Sequence, residues 1–417
     1  MEIRFMEDLA LDALPAEGLD VSDPSIFAQN LQGPIFERLR REDPVHYCSK
    51  SPYGPYWSVT RYKDIIEVDS NHGAFSSAGA TSLDEVRAKG VSADATPIGG
   101  FLSMDPPGHG AQRKIVTPAL APSNLVKFQD LIRERTRGVL GTLPIGEEFD
   151  WAKTVSVELT MLMLATLLGF PSEGRLRLKR WSDIIAGVPG DGVVESWEQR
   201  DQELKEMART FLMLRDERRA QEPASDLLSI MAHSPEGQAL SDMEFASNVS
   251  ILIVGGNDTT RNSMSATVMS FHENPGEWAK LKANPAMIDS AVSEIIRCHT
   301  PIMSQGRRAT QDYELGGKTI RKGDKVMMWY ISGNRDETAI RDADRFIIDR
   351  QNPRHHLSFG FGIHRCLGNR LADMQLRILL EEILAQGWSR IEVTQPPQFA
   401  QSSSVRGVRS LPVRIHP

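Results

Sequence analysis

Phe359-Gly360-Phe361-Gly362-Ile363-His364-Arg365-Cys366-Leu367-Gly368 sets two glycines and an aromatic ring ahead of a cysteine at the start of an amphipathic pattern. Leu367, Leu371, Met374 and Ile378 recur at helical spacing, which predicts a helix over 367–385. A cysteine at that position meets the positive end of the helix dipole and free backbone N–H groups. Both favour thiolate over thiol, and a thiolate is a metal ligand or a nucleophile. The glycines let the backbone wrap closely around the sulfur. A buried structural cysteine in a tight turn is the alternative for any isolated cysteine; the flanking pattern favours the chemical reading.

Composition narrows what can surround this loop. The 417 residues carry 48 Lys+Arg against 55 Asp+Glu, a net charge of −7, so a basic face for nucleic acid is not expected. Hydrophobic residues at 40% and charged residues at 25% fit a soluble globular chain and exclude collagen-like, coiled-coil and disordered classes. A chain this long buries a large core without staples. Cys48, Cys298 and Cys366 are an odd, widely spaced set, neither a disulfide framework nor a zinc pair, and point to a reducing cytoplasmic compartment. The acidic N-terminal run lacks the apolar core of a signal peptide. The longest apolar stretch, 159–168, is too short to span a bilayer, so no stable membrane insertion is expected.

No repeat, linker or composition shift divides the chain, which reads as a single domain over 1–417. Helical patterns are expected at 29–42, 61–69, 108–121, 123–141, 151–169, 173–186, 197–220 and 285–298. Ser241 with Glu244 three residues on is a capping-box pattern that opens a helix to about Asn274. Small β regions are expected near 44–60, 311–331 and 390–416. Within the second, Gly316-Gly317 reads as a two-residue hairpin turn, and 325–331 as a strand. Residues 76–100, rich in Ser, Gly and Ala, read as a long loop of the kind that is often functional.

Two further segments stand out. Gly255-Gly256-Asn257-Asp258-Thr259-Thr260 interrupts an apolar helical pattern. Adjacent glycines cost roughly 1 kcal/mol each against alanine inside a helix. Together with hydroxyl residues they can open the hydrogen-bond ladder and bend the helix. A buried acid beside threonine needs a partner or a purpose; a packing kink is the bland alternative. Glu294-Ile295-Ile296-Arg297 puts an acid and a base on one helix face, which is ordinarily an exposed pair.

Phe359, Gly362, Cys366 and Gly368 match the pattern Phe-x-x-Gly-x-x-x-Cys-x-Gly in full, and the chain resembles the cytochrome P-450 family of haem-thiolate monooxygenases. The resemblance runs from about Pro44 to the end, with the motifs in the right order. It implies a mainly α fold with small segregated β-sheets (α+β), a triangular prism holding haem between distal and proximal helices. The cofactor implied is haem b (iron protoporphyrin IX). Cys366 then resembles the axial iron ligand, whose thiolate pushes electron density onto iron. The Gly255–Thr260 segment resembles the distal helix motif, with Gly256 close to the cofactor. Asp258 would be the relay acid, Thr259 the residue steadying the oxygen-derived species and ordered water, and Thr260 a helix support. Glu294 and Arg297 resemble a buried network completed by Arg345, all three supporting the Cys366 loop.

Haem also brings two propionates, whose charge calls for Arg or His. Asp105-Pro106-Pro107-Gly108-His109-Gly110-Ala111-Gln112-Arg113 resembles the family's propionate-binding helix start, with His109 and Arg113 on one face. Arg307 and His364 resemble further donors; Arg308 could exchange with Arg307. The bacterial character of the resemblance implies O2 as co-substrate. It also implies electrons from an external ferredoxin with an NAD(P)H-dependent ferredoxin reductase. Lys114, Arg354, Arg365 and Arg370 are candidates for receiving that acidic partner.

The stretches 30–34, 56–60, 253–265 and 329–336 are similar to a bacterial subgroup of terminal hydroxylases of medium-chain alkanes and fatty acids. The implied substrate is small and lipophilic, and the implied reaction is hydroxylation of a terminal methyl. A monoterpene or other small lipophilic substrate is the alternative. Candidate walls are the 76–100 loop, residues 184–188, Leu252, Ile253, Gly256, Ile302, Met303 and Ser403. A non-catalytic haem sensor has no need of Asp258 and Thr259, and a peroxygenase of the family lacks that pair.

Overall fold

The computed structural model describes residues 18–83, 99–187, 189 and 192–417. Its longest helix, Asp242–Glu273, begins as the sequence predicts. The Ser241 hydroxyl accepts from Glu244 N–H while the Glu244 carboxylate accepts from Ser241 N–H. Its 32 residues extend roughly 48 Å at about 1.5 Å per residue. That length lets it pack against the helices Glu158–Leu168, Arg175–Ala186, Trp197–Arg219, Ile288–His299 and Asn369–Ala385. It stays helical through Gly255 and Gly256.

The helices Gln32–Glu42, Tyr62–Ser70, Gly108–Val116 and Pro122–Leu140 also stand where the periodicity places them. Pro24–Ala28, Leu227–His233 and Pro235–Gln238, too short to display a period, are further helices, as is Pro275–Ala283. The strand expected over 325–331 ends at Met328. Trp329 N–H still reaches Val59 O, and the chain then turns into the single helical turn Tyr330–Gly333.

Five strands form the main sheet in the order Val45–Cys48, Tyr56–Val59, Lys325–Met328, Gln305–Ala309, Phe75–Ser76. The first two β regions of the sequence therefore meet in one sheet, through the parallel pairing of Trp57 with Val326. The hairpin Tyr313–Leu315 with Lys318–Ile320 forms as expected, with Gly316 and Gly317 at φ of 57° and 75°. Near the C-terminus, Pro412–His416 pairs with both Glu148–Asp150 and Arg390–Val393.

Glu294 lies fully buried and is held by two guanidinium groups. Arg297 Nε and Nη2 donate to its two oxygens at 2.8 Å each. Arg350 Nε lies 2.9 Å from both. The third member of this network is thus Arg350, not Arg345. The Arg345 side chain is exposed, and only its carbonyl takes part, accepting from Arg297 and Arg350. Arg297 also donates to Asn334 O and Ala343 O, tying the helix Ile288–His299 to the segment before the cysteine loop. Burial alone would raise the Glu294 carboxyl, but the hydrogen bonds and charge of Arg297, with Ile347 N–H and Arg350, hold it below its ordinary 4.5.

Glu294→Gln leaves the buried Arg297 and the half-buried Arg350 without their counter-charge. The expected loss is about 3–5 kcal/mol, read as a fall in the denaturation midpoint. A carboxyl held low stabilises above its unfolded value and loses that contribution as pH falls. The wild-type midpoint should therefore decline below pH 4.5, where the ordinary carboxyl titrates, and more steeply than that of the variant. Equal slopes would remove Glu294 from the network's energetics.

Candidate active site

The loop ahead of the helix Asn369–Ala385 closes on itself. Cys366 N–H donates to Phe359 O at 2.7 Å, and Gly360 N–H to Leu357 O at 2.8 Å. Gly362 sits at φ 63°, and a Cβ there would lie 2.6 Å from Asp69 O, so only glycine fits. Phe359 packs against the core and lies 5.5 Å from the His356 ring. Gly368 caps the helix, and its N–H lowers the proton affinity of the Cys366 thiol as expected of a helix start.

Burial outweighs that effect. The Cys366 thiol is pushed up from its ordinary value, against Gly368 N–H and the charges of Arg113 and Arg365. The helix terminus does not by itself make the thiolate; a bound cation would. Cys48 and Cys298 are buried, whereas Cys366 is the exposed cysteine of the three. Protein mass surrounds its sulfur, so this exposure is to space within the fold.

Around the loop the structure gathers the anticipated cationic donors. The His109 and His364 rings lie 4.4 Å apart. His364 Nε2 lies 2.9 Å from Ser77 Oγ, a partner the sequence did not suggest. Arg113 Nη2 donates to Arg365 O. Strand alternation over Gln305–Ala309 turns Arg307 and Arg308 to opposite sides. Arg307 is buried, with Nη2 2.7 Å from Asp69 Oδ1, while Arg308 is exposed and donates to Gly323 O. His109 Nε2 and His364 Nδ1 are buried without a hydrogen-bond partner. Burial, then Arg307, His109 and Arg113, hold His364 down to about 3. Partnerless ring nitrogens and the Arg113 guanidinium near a reachable thiol suit an anionic, metal-bearing group such as haem.

On the long helix, Thr259 Oγ1 donates to Gly255 O at 2.9 Å. Gly255 faces open space, with nothing within 4 Å of a Cβ placed there. Gly256 faces the other way, its Cβ position 3.1 Å from Leu164 Cδ1. Gly255 thus lies on the open side of the helix, and Gly256 packs toward Leu164. Asp258 is buried and held by Arg261 Nη2 at 2.8 Å and Asn257 Nδ2 at 3.0 Å. Arg261 in turn lies 3.7 Å from Asp183 on the helix Arg175–Ala186. Burial pushes the Asp258 carboxyl up, and the Arg261 charge opposes it.

The anticipated pocket walls divide. Ile253 and Ile184 are core residues, as is Met303, which packs in the cluster of Met327 and Trp329. Ser403 is buried with its carbonyl accepting from Ser304 Oγ at 2.9 Å. Leu252 and Ile302 are partly buried and stay available as walls. Residues 84–98 of the anticipated loop, and Val188, lie outside the described residues.

A family profile described as Cytochrome P450 matches residues 145–405. Linalool 8-monooxygenase of Pseudomonas putida is 36% identical over 404 residues, covering 95% of this chain and 99% of its own. The solved structure of CYP153D17 from Sphingomonas sp. PAMC 26605 is 43% identical, with a TM-score of 0.90 over 95% of this chain and 99% of its own. Cytochrome P450-153 from Novosphingobium aromaticivorans is 40% identical, with a TM-score of 0.88 and the same coverage.

Proposed function

Since the chain belongs to the cytochrome P450 family of monooxygenases, we propose that it hydroxylates the terminal methyl of medium-chain alkanes or fatty acids. The observation that carries the chemistry is the reachable Cys366 thiol in a glycine-lined loop, with the partnerless ring nitrogens of His109 and His364 near it. In the overall reaction one substrate C–H, O2, two electrons and two protons give the alcohol and water. Haem b, when bound, supplies the centre at which O2 is activated.

This chain's residues supply the rest. Cys366 offers the thiolate ligand. His109, Arg113, His364 and Arg307 offer cationic or N–H partners to the propionates. Phe359, Gly362 and Gly368 shape the loop. Asp258, its carboxyl raised by burial, is suited to hold a proton on the distal helix. Thr259 presents its hydroxyl oxygen beside Gly255, where a proton or ordered water can be passed on. Arg365 and Arg370 are exposed, and Lys114 and Arg354 are 77% and 79% exposed, which supports docking of an acidic ferredoxin near the loop. Among the described residues no helix is long and apolar enough to cross a membrane. The three unpaired cysteines support a cytoplasmic setting.

A terminal C–H is stronger than an internal one, so selectivity requires a channel that aims the chain end. The similarity of 253–265 and 329–336 to terminal hydroxylases supports that reading. The likeness to linalool 8-monooxygenase favours, as a second reading, an acyclic terpene alcohol. Titrating the ferric protein with alkanes and fatty acids of graded length separates them. A low-to-high-spin shift of the Soret band that peaks at one chain length, with the terminal alcohol as product, is the expected result. A shift with linalool alone would replace the first reading by the second.

A further inference from the structure

Asp69 belongs to no motif, yet it is a buried acid in direct contact with the cysteine loop. It sits on the helix Tyr62–Ser70 and is 2% exposed. Three donors from three other parts of the chain converge on its carboxylate. Arg307 Nη2, on the strand Gln305–Ala309, lies 2.7 Å from Oδ1. The Tyr330 hydroxyl, just past the strand Lys325–Met328, lies 2.8 Å from Oδ2. Phe361 N–H, inside the cysteine loop, also lies 2.8 Å from Oδ2. The backbone carbonyl of Asp69 forms the floor under Gly362, where no side chain fits.

Each of these contacts bears on the cofactor site. Phe361 and Gly362 lie within the loop that Cys366 N–H closes onto Phe359 O. Arg307 is one of the donors proposed for the propionates, and Asp69 holds its guanidinium in place. Both Asp69 and Arg307 are almost wholly withdrawn from solvent, at 1% and 3% side-chain exposure. Their charges therefore act at short range with little screening.

We propose that Asp69 is a positioning residue for the haem site: it anchors the Cys366 loop through Phe361 and Tyr330, and it compensates Arg307 so that this arginine presents a paired rather than a free positive charge. The inference rests on the haem-thiolate reading. It adds that the loop is hung from the helix Tyr62–Ser70, and that the Asp69–Arg307 pair sets the electrostatic balance felt by the iron.

The test uses haem-loaded wild type, Asp69→Asn, Arg307→Gln, the double variant Asp69→Asn/Arg307→Gln, and Tyr330→Phe. Three readouts are taken: the ferric/ferrous reduction potential, the carbon monoxide difference spectrum, and the rate of haem transfer to apomyoglobin. Removing a negative charge favours the reduced iron, so Asp69→Asn should move the potential positive. Arg307→Gln should move it negative, and the double variant should return it toward wild type. Haem transfer should be faster by roughly 10–100-fold in Asp69→Asn, and toward the low end of that range in Tyr330→Phe, which keeps every charge and leaves the potential in place.

Shifts of the same sign in both single variants, or none, would overturn the electrostatic part. Unchanged haem transfer in Tyr330→Phe and Asp69→Asn would overturn the anchoring part. Should Asp69→Asn fail to fold, the neutral double variant and Tyr330→Phe decide the matter by the same readouts. A wild type without a thiolate-type carbon monoxide band would instead sink the haem-thiolate reading itself.

Discussion

Cys366→Ser is expected to abolish the thiolate-type carbon monoxide band and, with it, monooxygenation, while leaving a folded protein. The fold does not depend on the sulfur. Cys366 is exposed to internal space rather than packed in the core, and the loop closes through its backbone N–H, which serine retains. Serine also keeps the contact with the helix N-terminus. What it cannot supply is the thiolate's electron density, because its hydroxyl ionises far less readily. Changing a residue that merely supports a metal ligand typically costs ~10–100-fold, so loss of the ligand itself should exceed roughly 100-fold in product formation. Cys48 and Cys298 cannot substitute. Burial pushes the Cys48 thiol up to about 12, and the buried Cys298 is raised as well, beside Arg297 and Glu294. A thiolate-type band that survived in Cys366→Ser would mean the ligand lies elsewhere.

The sequence announced some parts of this site and was silent on others, for a physical reason. Motifs carried by one contiguous segment were legible. The capping box at Ser241 and Glu244, the Gly316-Gly317 hairpin and the glycines around Cys366 each express a local backbone requirement. Partnerships across the fold left almost no local trace. Asp69 meets Arg307 across 238 positions and Phe361 across 292. Ser77 meets His364 across 287. One hint did exist: Asp69 lies four residues after Ile65 on the buried face of its helix, and an acid on an apolar face needs partners.

Near neighbours were confused for a related reason. Arg345 and Arg350 both reach the Glu294 network, one by its carbonyl and the other by its guanidinium, and one-dimensional spacing does not separate those roles. Gly255 and Gly256 differ by one helical step, about 100° of rotation, which turns one toward open space and the other toward Leu164.

Thr259→Ala is expected to break the link between electron consumption and product. In the wild type Thr259 Oγ1 donates to Gly255 O, which fixes the rotamer and leaves the oxygen's remaining acceptor capacity facing the open side of the helix. Asp258, next to it, is turned into the protein against Arg261 and Asn257. The hydroxyl is therefore the member of the pair placed to order water on the reacting side, and the carboxyl is the member placed to hold the proton. Alanine removes the first and leaves the second. It deletes no buried charge, so folding and haem loading should persist. Electrons should still be drawn from NADH, because nothing on the electron-delivery face has changed. Without the ordered donor, two electrons and two protons leave with O2 as hydrogen peroxide instead of splitting it. Positioned proton transfer contributes ~10²–10⁴-fold; with water able to substitute in part, product per NADH should fall by roughly ten- to a hundredfold while peroxide rises to match. A sensor would show no product in either protein, and a peroxygenase would be indifferent to the substitution. Unchanged product per NADH in Thr259→Ala would remove Thr259 from the proton path and leave the distal helix without an assigned donor.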